Sequence, residues 1–192
     1  MTLVVPIAWQ QKERALAPAM AIPARKSSPD DILNPARTFF TTTKTSMGKR
    51  LLQTDRNAGL LIDVLRSLAR EQAFKLHDFV IMPDHLHLLF TVDAGMTVEK
   101  AMQLVKGRFS FRFGREFGFK GEVWQRGFSE VQVLGDARFQ EYRRYIANNP
   151  VKAGLVDSPE KYPFCLESFA KKKAEDLQGL KPASFLEHDR HD

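Results

Sequence analysis

Met82-Pro83-Asp84-His85-Leu86-His87-Leu88-Leu89-Phe90 is the stretch that decides how this 192-residue chain is read. Side chains on a strand alternate between its two faces, so His85 and His87 share a face with Leu89 and Thr91, while Leu86, Leu88, Phe90 and Val92 share the other. The second set is apolar throughout and marks the side turned to a core. Two imidazoles therefore stand in parallel, about 7 Å apart at Cα from the strand rise, on the face that the apolar layer does not need. The spacing suits chelation of one divalent cation, and it equally suits two histidines that are hydrogen-bonded or solvated on a sheet. A third ligand would decide between these readings. His77 falls on the preceding strand, His188 and His191 fall in the tail, and the single cysteine, Cys165, stands alone, which argues against a four-ligand structural zinc site. Nitrogen ligands completed by an oxygen donor suit Mg²⁺ or Mn²⁺ bridging to a phosphate.

Outward from this stretch, Pro83-Asp84 is a pair suited to a tight turn, so KLHDFVIM and HLHLLFTV are predicted to form a hairpin. Before it, RTFFTTTKT at 37–45 has the aromatic and β-branched content of a strand. TDRNAGLLIDVLRSLAREQ places Leu61, Val64, Leu65 and Leu68 at helical spacing, with Thr54 or Asp55 as N-cap. After the hairpin, Val98, Ala101, Met102, Val105 and Phe109 lie on one face of a second helix capped by Thr97, with Lys106, Arg108 and Arg112 elsewhere on it. EVWQRGFSEVQVL alternates as one or two short strands, and Asp136 opens a last helix that Pro150 is expected to stop. The order strand, helix, hairpin, helix, strand, helix predicts an α+β fold, a split βαβ sandwich whose antiparallel sheet carries its helices on one face.

The length fits one domain with tails, and 43% hydrophobic against 27% charged residues is ordinary globular composition. Residues 1–36 mix Ala, Pro, Ser and charge without period and are expected to form a mobile arm; 37–170 form the domain, and 171–192 a polar tail. No apolar run reaches membrane length, and LVVPIAW near the start has no preceding basic region and contains a proline, so no secretory leader, no membrane association and a cytoplasmic location are expected. The 29 basic against 23 acidic residues give a net charge of +6, which favours polyanionic partners.

The last helix, EYRRYIANNP, carries the second group of interest. At about 100° per residue, Phe139 and Ile146 mark its buried side and Tyr142 borders them. Tyr145 projects from the polar flank, beside Asn149 one turn on and Arg138 two turns back. Most helical tyrosines at such a boundary simply keep the hydroxyl in water. A tyrosine beside an amide that completes a metal site is, however, what a phosphotyrosine-forming enzyme requires. Free tyrosine, with a pKa near 10, is a poor nucleophile at neutral pH, and an anionic phosphodiester resists attack. A cation on the phosphate relieves the second difficulty and stabilises transition-state charge. A tyrosyl-DNA bond then retains the phosphodiester energy without ATP, and no Walker loop or dinucleotide fingerprint is present.

Five ordered motifs, MPDHLHLLF, KGRFSFRF, VWQRGF, RRYIANNPVKAGLV and EKYPF, resemble the REP-associated tyrosine transposases, within the wider HUH single-tyrosine transposases of the insertion-sequence-200 type. The similarity runs from Arg37 to Ser168. The resemblance implies a ferredoxin-like catalytic domain that cleaves single-stranded DNA beside a REP hairpin with Mg²⁺ or Mn²⁺ bound, leaving a 5′-phosphotyrosine and a free 3′-hydroxyl. It implies His85 and His87 as metal ligands, Tyr145 as nucleophile and Asn149 as third ligand, where relatives often carry glutamine, with Asn148 as the alternative. It favours DNA contacts from Lys106, Arg108, Arg112 and Arg138, and from Trp124, Gln125 and Arg126, which are equally readable as a core tryptophan and solvated polar groups. Relatives of the insertion-sequence type pair as dimers that exchange tyrosines, whereas the REP-associated branch can act alone, so a monomer is favoured and a dimer is the alternative. The chain departs from the pattern after Tyr162-Pro163, where relatives often carry tryptophan and serines and Phe164, Cys165 and Leu166 stand here.

Two other functions compete. A hairpin-binding protein of the same fold that has lost catalysis would bind DNA and form no covalent adduct. A nucleotide hydrolase of the histidine-triad kind needs a third histidine two residues after His87, and Leu89 occupies that position.

Overall fold

The computed structural model describes residues 36–168, so the expected mobile arm, except for its last residue, and the expected polar tail lie outside the described residues. Strands β1 (Arg37–Lys44), β2 (Lys75–Met82), β3 (His85–Val92) and β4 (Ser129–Gln132) alternate with helices α1 (Asp55–Arg70), α2 (Val98–Phe117) and α3 (Gly135–Lys152) in the expected order. The sheet runs β2-β3-β1-β4 with every pair antiparallel. Thr54 and Thr97 cap α1 and α2, their side chains accepting from the backbone N–H groups of Asn57 and Lys100 at 3.2 Å. Each cap satisfies one of the N–H groups that a helix start leaves open and contributes about 1 kcal/mol. Among the described residues no helix is long and apolar enough to cross a membrane.

The larger core joins Leu61, Val64, Leu65 and Leu68 of α1 and Val98, Ala101, Met102, Val105 and Phe109 of α2 to Leu86, Leu88, Phe90 and Val92 of β3. Cutting a fully buried leucine of this layer, such as Leu65, to alanine would cost ~2–5 kcal/mol.

The helices do not all lie on this face, in contrast to the one-sided arrangement expected from the order of elements. Phe40 of β1, Val80 and Met82 of β2 and Leu89 of β3 make the histidine-bearing face apolar as well, and Ile146 of α3 closes a second core over them together with Tyr162. The face that holds the imidazoles is thus covered, and the cover is the helix that carries Tyr142, Tyr145 and Asn149.

Pro150 also differs from expectation, because α3 runs through it to Lys152. A proline there removes the amide that would bond to the carbonyl of Ile146, a cost offset by burial of the ring. The helix ends two residues later, with Gly154 at φ 68° just beyond it.

The sheet's outer edge at β2 is covered by the chain after α3. Ile81 N–H donates to the Phe164 carbonyl at 2.9 Å, Val80 bridges Cys165, and the Tyr162 hydroxyl donates to the Ile81 carbonyl at 2.7 Å. Open strand edges invite pairing with other chains, and this segment occupies the β2 edge at Val80 and Ile81. Phe164 and Cys165, where the chain leaves the family pattern, are therefore part of the sheet's border.

Candidate active site

His85 and His87 open β3 immediately after the hairpin turn, and their rings lie 4.8 Å apart, edge to face. The second nitrogen of each ring is already engaged. His85 Nδ1 is 2.6 Å from Asp84 Oδ1, and His87 Nδ1 is 2.8 Å from Thr42 Oγ1, the residue opposite it on β1. With Nδ1 occupied in both rings, Nε2 is the nitrogen left to each, and that of His87 faces Asn149 of α3. His85 Nδ1 donates to the carboxylate, and this hydrogen bond is the main reason Asp84 titrates below the usual carboxylate range. Burial, aided by the charges of His85 and Lys44, holds the His87 pKa well below that of an ordinary imidazole. A neutral ring with its proton on Nδ1 keeps a lone pair on Nε2, the form a metal ligand needs.

α3 brings its polar flank to the same place. Asn149 Nδ2 lies 3.2 Å from His87 Nε2, so a half-turn of the amide would offer Oδ1 to a cation shared with that nitrogen. The Tyr145 ring stands edge-on to His87 with centroids 5.3 Å apart, and edge-on to Phe40 at 5.6 Å. Tyr142, three residues earlier, instead stacks on Phe40 at 4.4 Å, and burial raises its pKa. The two tyrosines are thus divided as the helical wheel divides them, one packed on the sheet and one beside the imidazoles. His85, His87, Tyr145 and Asn149 are brought together from one chain. The donor set fits a hard divalent ion, with two imidazole nitrogens oriented by outer partners and an amide within reach. Among the described residues no group of three or more His, Cys, Asp or Glu side chains could hold one, so the amide is essential to this fit.

The expected DNA-contacting residues are scattered. Arg108 makes a two-pronged pair with Glu71 at 2.7 and 2.8 Å, Arg112 pairs with Glu116, and Arg138 pairs with Glu141. Lys106 Nζ donates to the carbonyls of Gln125 and Gly127, both at 2.8 Å, and braces that loop. The Trp124 ring is only 8% exposed, packs against Phe109 and donates Nε1–H to the Lys106 carbonyl, so it offers no stacking face. Gln125 and Arg126 remain exposed.

Three residues at the site escaped the sequence reading. Thr42 is found only once the β1–β3 register is known. Lys152 Nζ sits 5.3 Å from the centre of the Tyr145 ring, two turns on along α3, and Asp84 directly precedes His85. The last two had local signals, an acid adjoining the first imidazole and a cation at i+7 from the tyrosine.

Fold and site together define an α+β protein with a histidine pair, a phenol and an amide gathered on one face of an antiparallel sheet. The chain belongs to the IS200-like transposase family, described as "Transposase IS200 like", whose sequence profile matches residues 42–149. It is 25% identical over 127 residues to the REP-associated tyrosine transposase of Escherichia coli K12, covering 66% of this chain and 73% of that protein. Among solved structures, that of a REP-associated tyrosine transposase bound to a REP hairpin superposes with a TM-score of 0.59 at 25% identity, covering 76% of this chain and 82% of that one. The four-stranded α+β fold is the one it shares, and the proteins it resembles are tyrosine transposases, which are enzymes.

Proposed function

We propose that this chain cleaves and rejoins single-stranded DNA beside REP-type hairpins, with Tyr145 as nucleophile and His85, His87 and Asn149 as ligands of Mg²⁺ or Mn²⁺. The observation that carries the reading is the convergence on His87. The Tyr145 ring lies 5.3 Å from it and the Asn149 amide 3.2 Å from its Nε2. The solved relative's own complex with a REP hairpin supports the substrate class.

The Tyr145 hydroxyl attacks the phosphorus, a phosphotyrosine P–O bond forms on the 5′ side, and the P–O3′ bond breaks. The phenolic proton is lost and the departing 3′ oxygen gains one. Reversal by a 3′-hydroxyl of the same or another strand restores the phosphodiester and frees the tyrosine, so no nucleotide cofactor is consumed. The chemistry a bound divalent ion supplies is polarisation of the phosphoryl oxygen and stabilisation of transition-state charge. The Asp84 carboxylate, which can only accept, keeps the His85 proton on Nδ1, and the Thr42 hydroxyl orients the His87 ring. The Lys152 ammonium over the Tyr145 ring favours the negative charge that the phenol develops as it attacks. Because Tyr145 and His87 meet within one chain, the reading includes action as a monomer.

The test is a denaturing gel of protein mixed with labelled single-stranded hairpin DNA and Mn²⁺. A denaturant-stable adduct, absent in Tyr145→Phe, supports the reading. Hairpin binding with no adduct under any divalent ion would leave a non-catalytic binding protein.

A further inference from the structure

The end of the sheet that carries His85 bears a projecting turn that the catalytic scheme leaves unused. Residues 45–50 leave β1 opposite the histidine, Lys44 being the register partner of His85. Two neighbouring segments clamp the turn. Thr45 N–H donates to the Asp84 carbonyl at 2.8 Å, Ser46 N–H donates to the Val123 carbonyl at 2.9 Å, and Gln125 N–H donates to the Lys44 carbonyl at 2.9 Å. The Thr45 hydroxyl closes the turn on the Lys49 carbonyl at 2.6 Å. At the tip of this rigid frame Met47 adopts φ 56° and ψ 25°, the left-handed region that a side chain other than glycine enters at a cost, and it is 76% exposed. A lone exposed apolar side chain is unremarkable; one in strained backbone, on a turn clamped by four hydrogen bonds and flanked in its segments by exposed cations, is not. Lys44, Lys49 and Arg126 are all exposed on the same clamped segments. The acids nearby are Asp84, engaged with His85, and the exposed Glu122.

We infer that this turn is a base-contacting wedge, in which the Met47 thioether lies against or between bases of the strand entering the site while Lys44, Lys49 and Arg126 hold its backbone phosphates. The inference rests on the DNA-cleaving reading above and adds to it the element that opens the strand beside the scissile phosphate. A flexible, polarisable side chain suits a wedge, since it fills the irregular gap between unstacked bases. The cations supply the sequence-independent attraction that places the strand.

The experiment places 2-aminopurine at successive positions around the cleaved phosphodiester of a single-stranded hairpin and reads its fluorescence and the binding constant with the full chain. Wild type, Met47→Leu, Met47→Ala and Met47→Gly are compared, with the adduct gel run on each. Wild type and Met47→Leu should bind alike and raise the fluorescence at one position as that base unstacks. Met47→Ala and Met47→Gly should lose that rise and bind about five- to a hundred-fold more weakly, as expected for one lost base contact. Met47→Gly is also the fold control, because glycine accepts the left-handed conformation without strain and its thermal midpoint should hold or rise. Wild-type affinity and an unchanged fluorescence rise in Met47→Ala and Met47→Gly, with the wild-type adduct present, would overturn the wedge and leave the catalytic reading intact. A wild type that neither binds nor forms the adduct would overturn both.

Discussion

Thr42 and His87 face one another across neighbouring strands, the hydroxyl oxygen 2.8 Å from Nδ1 of a ring that is only 4% exposed. A buried imidazole whose inner nitrogen is tied in this way has its outer nitrogen committed to whatever approaches from α3. Removing the tie without removing the ring should therefore be felt at the metal. Thr42→Val, nearly isosteric, is expected to weaken Mn²⁺ binding by about 10–100-fold, measured by titration calorimetry, with Asp84→Asn acting similarly through His85. Unchanged affinity in both variants would mean that the imidazoles do not bind the ion through Nε2.

Lys152 offers a smaller effect of defined sign. A cation over an exposed aromatic ring is worth ~0.5–1 kcal/mol, so Lys152→Gln should slow adduct formation by about two- to five-fold at saturating DNA. Lys152→Arg keeps the charge and should retain the rate. Equal slowing in both variants would point to packing of the long side chain rather than to its charge.

Tyr162 ties the chain after α3 to β2 through its hydrogen bond to the Ile81 carbonyl. Tyr162→Phe leaves that buried carbonyl unpaired and should cost ~1–3 kcal/mol in urea unfolding. Burial pushes the Tyr162 hydroxyl up to about 12, above the value of about 10 in an unfolded chain. The sign follows from linkage: a pKa raised by folding gives stability that is fully present below pH about 10 and is lost as pH rises toward about 12. The difference in stability between wild type and Tyr162→Phe should therefore be flat below pH about 10 and shrink above it. A difference that grows with alkaline pH would contradict the placement of this hydroxyl.

Not every cation on the surface is available to DNA. Arg108 is held by both oxygens of Glu71, whereas Arg126 is exposed at the catalytic end of the sheet. If Arg126 meets a phosphate, Arg126→Gln should reduce the slope of log affinity against log salt by about 1 and Arg108→Gln should leave it unchanged. The opposite ranking would place the DNA along α2 instead.

The hairpin, the two capped helices and the division of Tyr142 from Tyr145 were legible in the sequence because each rests on local periodicity. Leu61, Val64, Leu65 and Leu68 repeat at helical spacing and are all buried, and His85 and His87 share a face because strands alternate. What was not legible depends on pairing between distant segments. Phe40, Val80 and Met82 make the histidine face apolar only once β1 and β2 flank β3, so a reading of β3 alone left that face uncovered and put all helices on the other side. The partners of Arg108 and His87 lie 37 and 45 residues away, beyond any local pattern. Pro150 misled for a different reason: the steric rule for the residue before proline is a preference, and the packing that buries Pro150 and sets Asn149 against His87 overrides it.

The central claim is that the phenol nearest the imidazole pair is the one that attacks the phosphate. Protease digestion of the DNA-protein adduct, followed by mass spectrometry of the nucleotide-bearing peptide, tests it most directly. The account predicts the modification on Tyr145, with Tyr142→Phe giving the same modified peptide in similar yield. A nucleotide on Tyr142, or an adduct that persists in Tyr145→Phe, would contradict it.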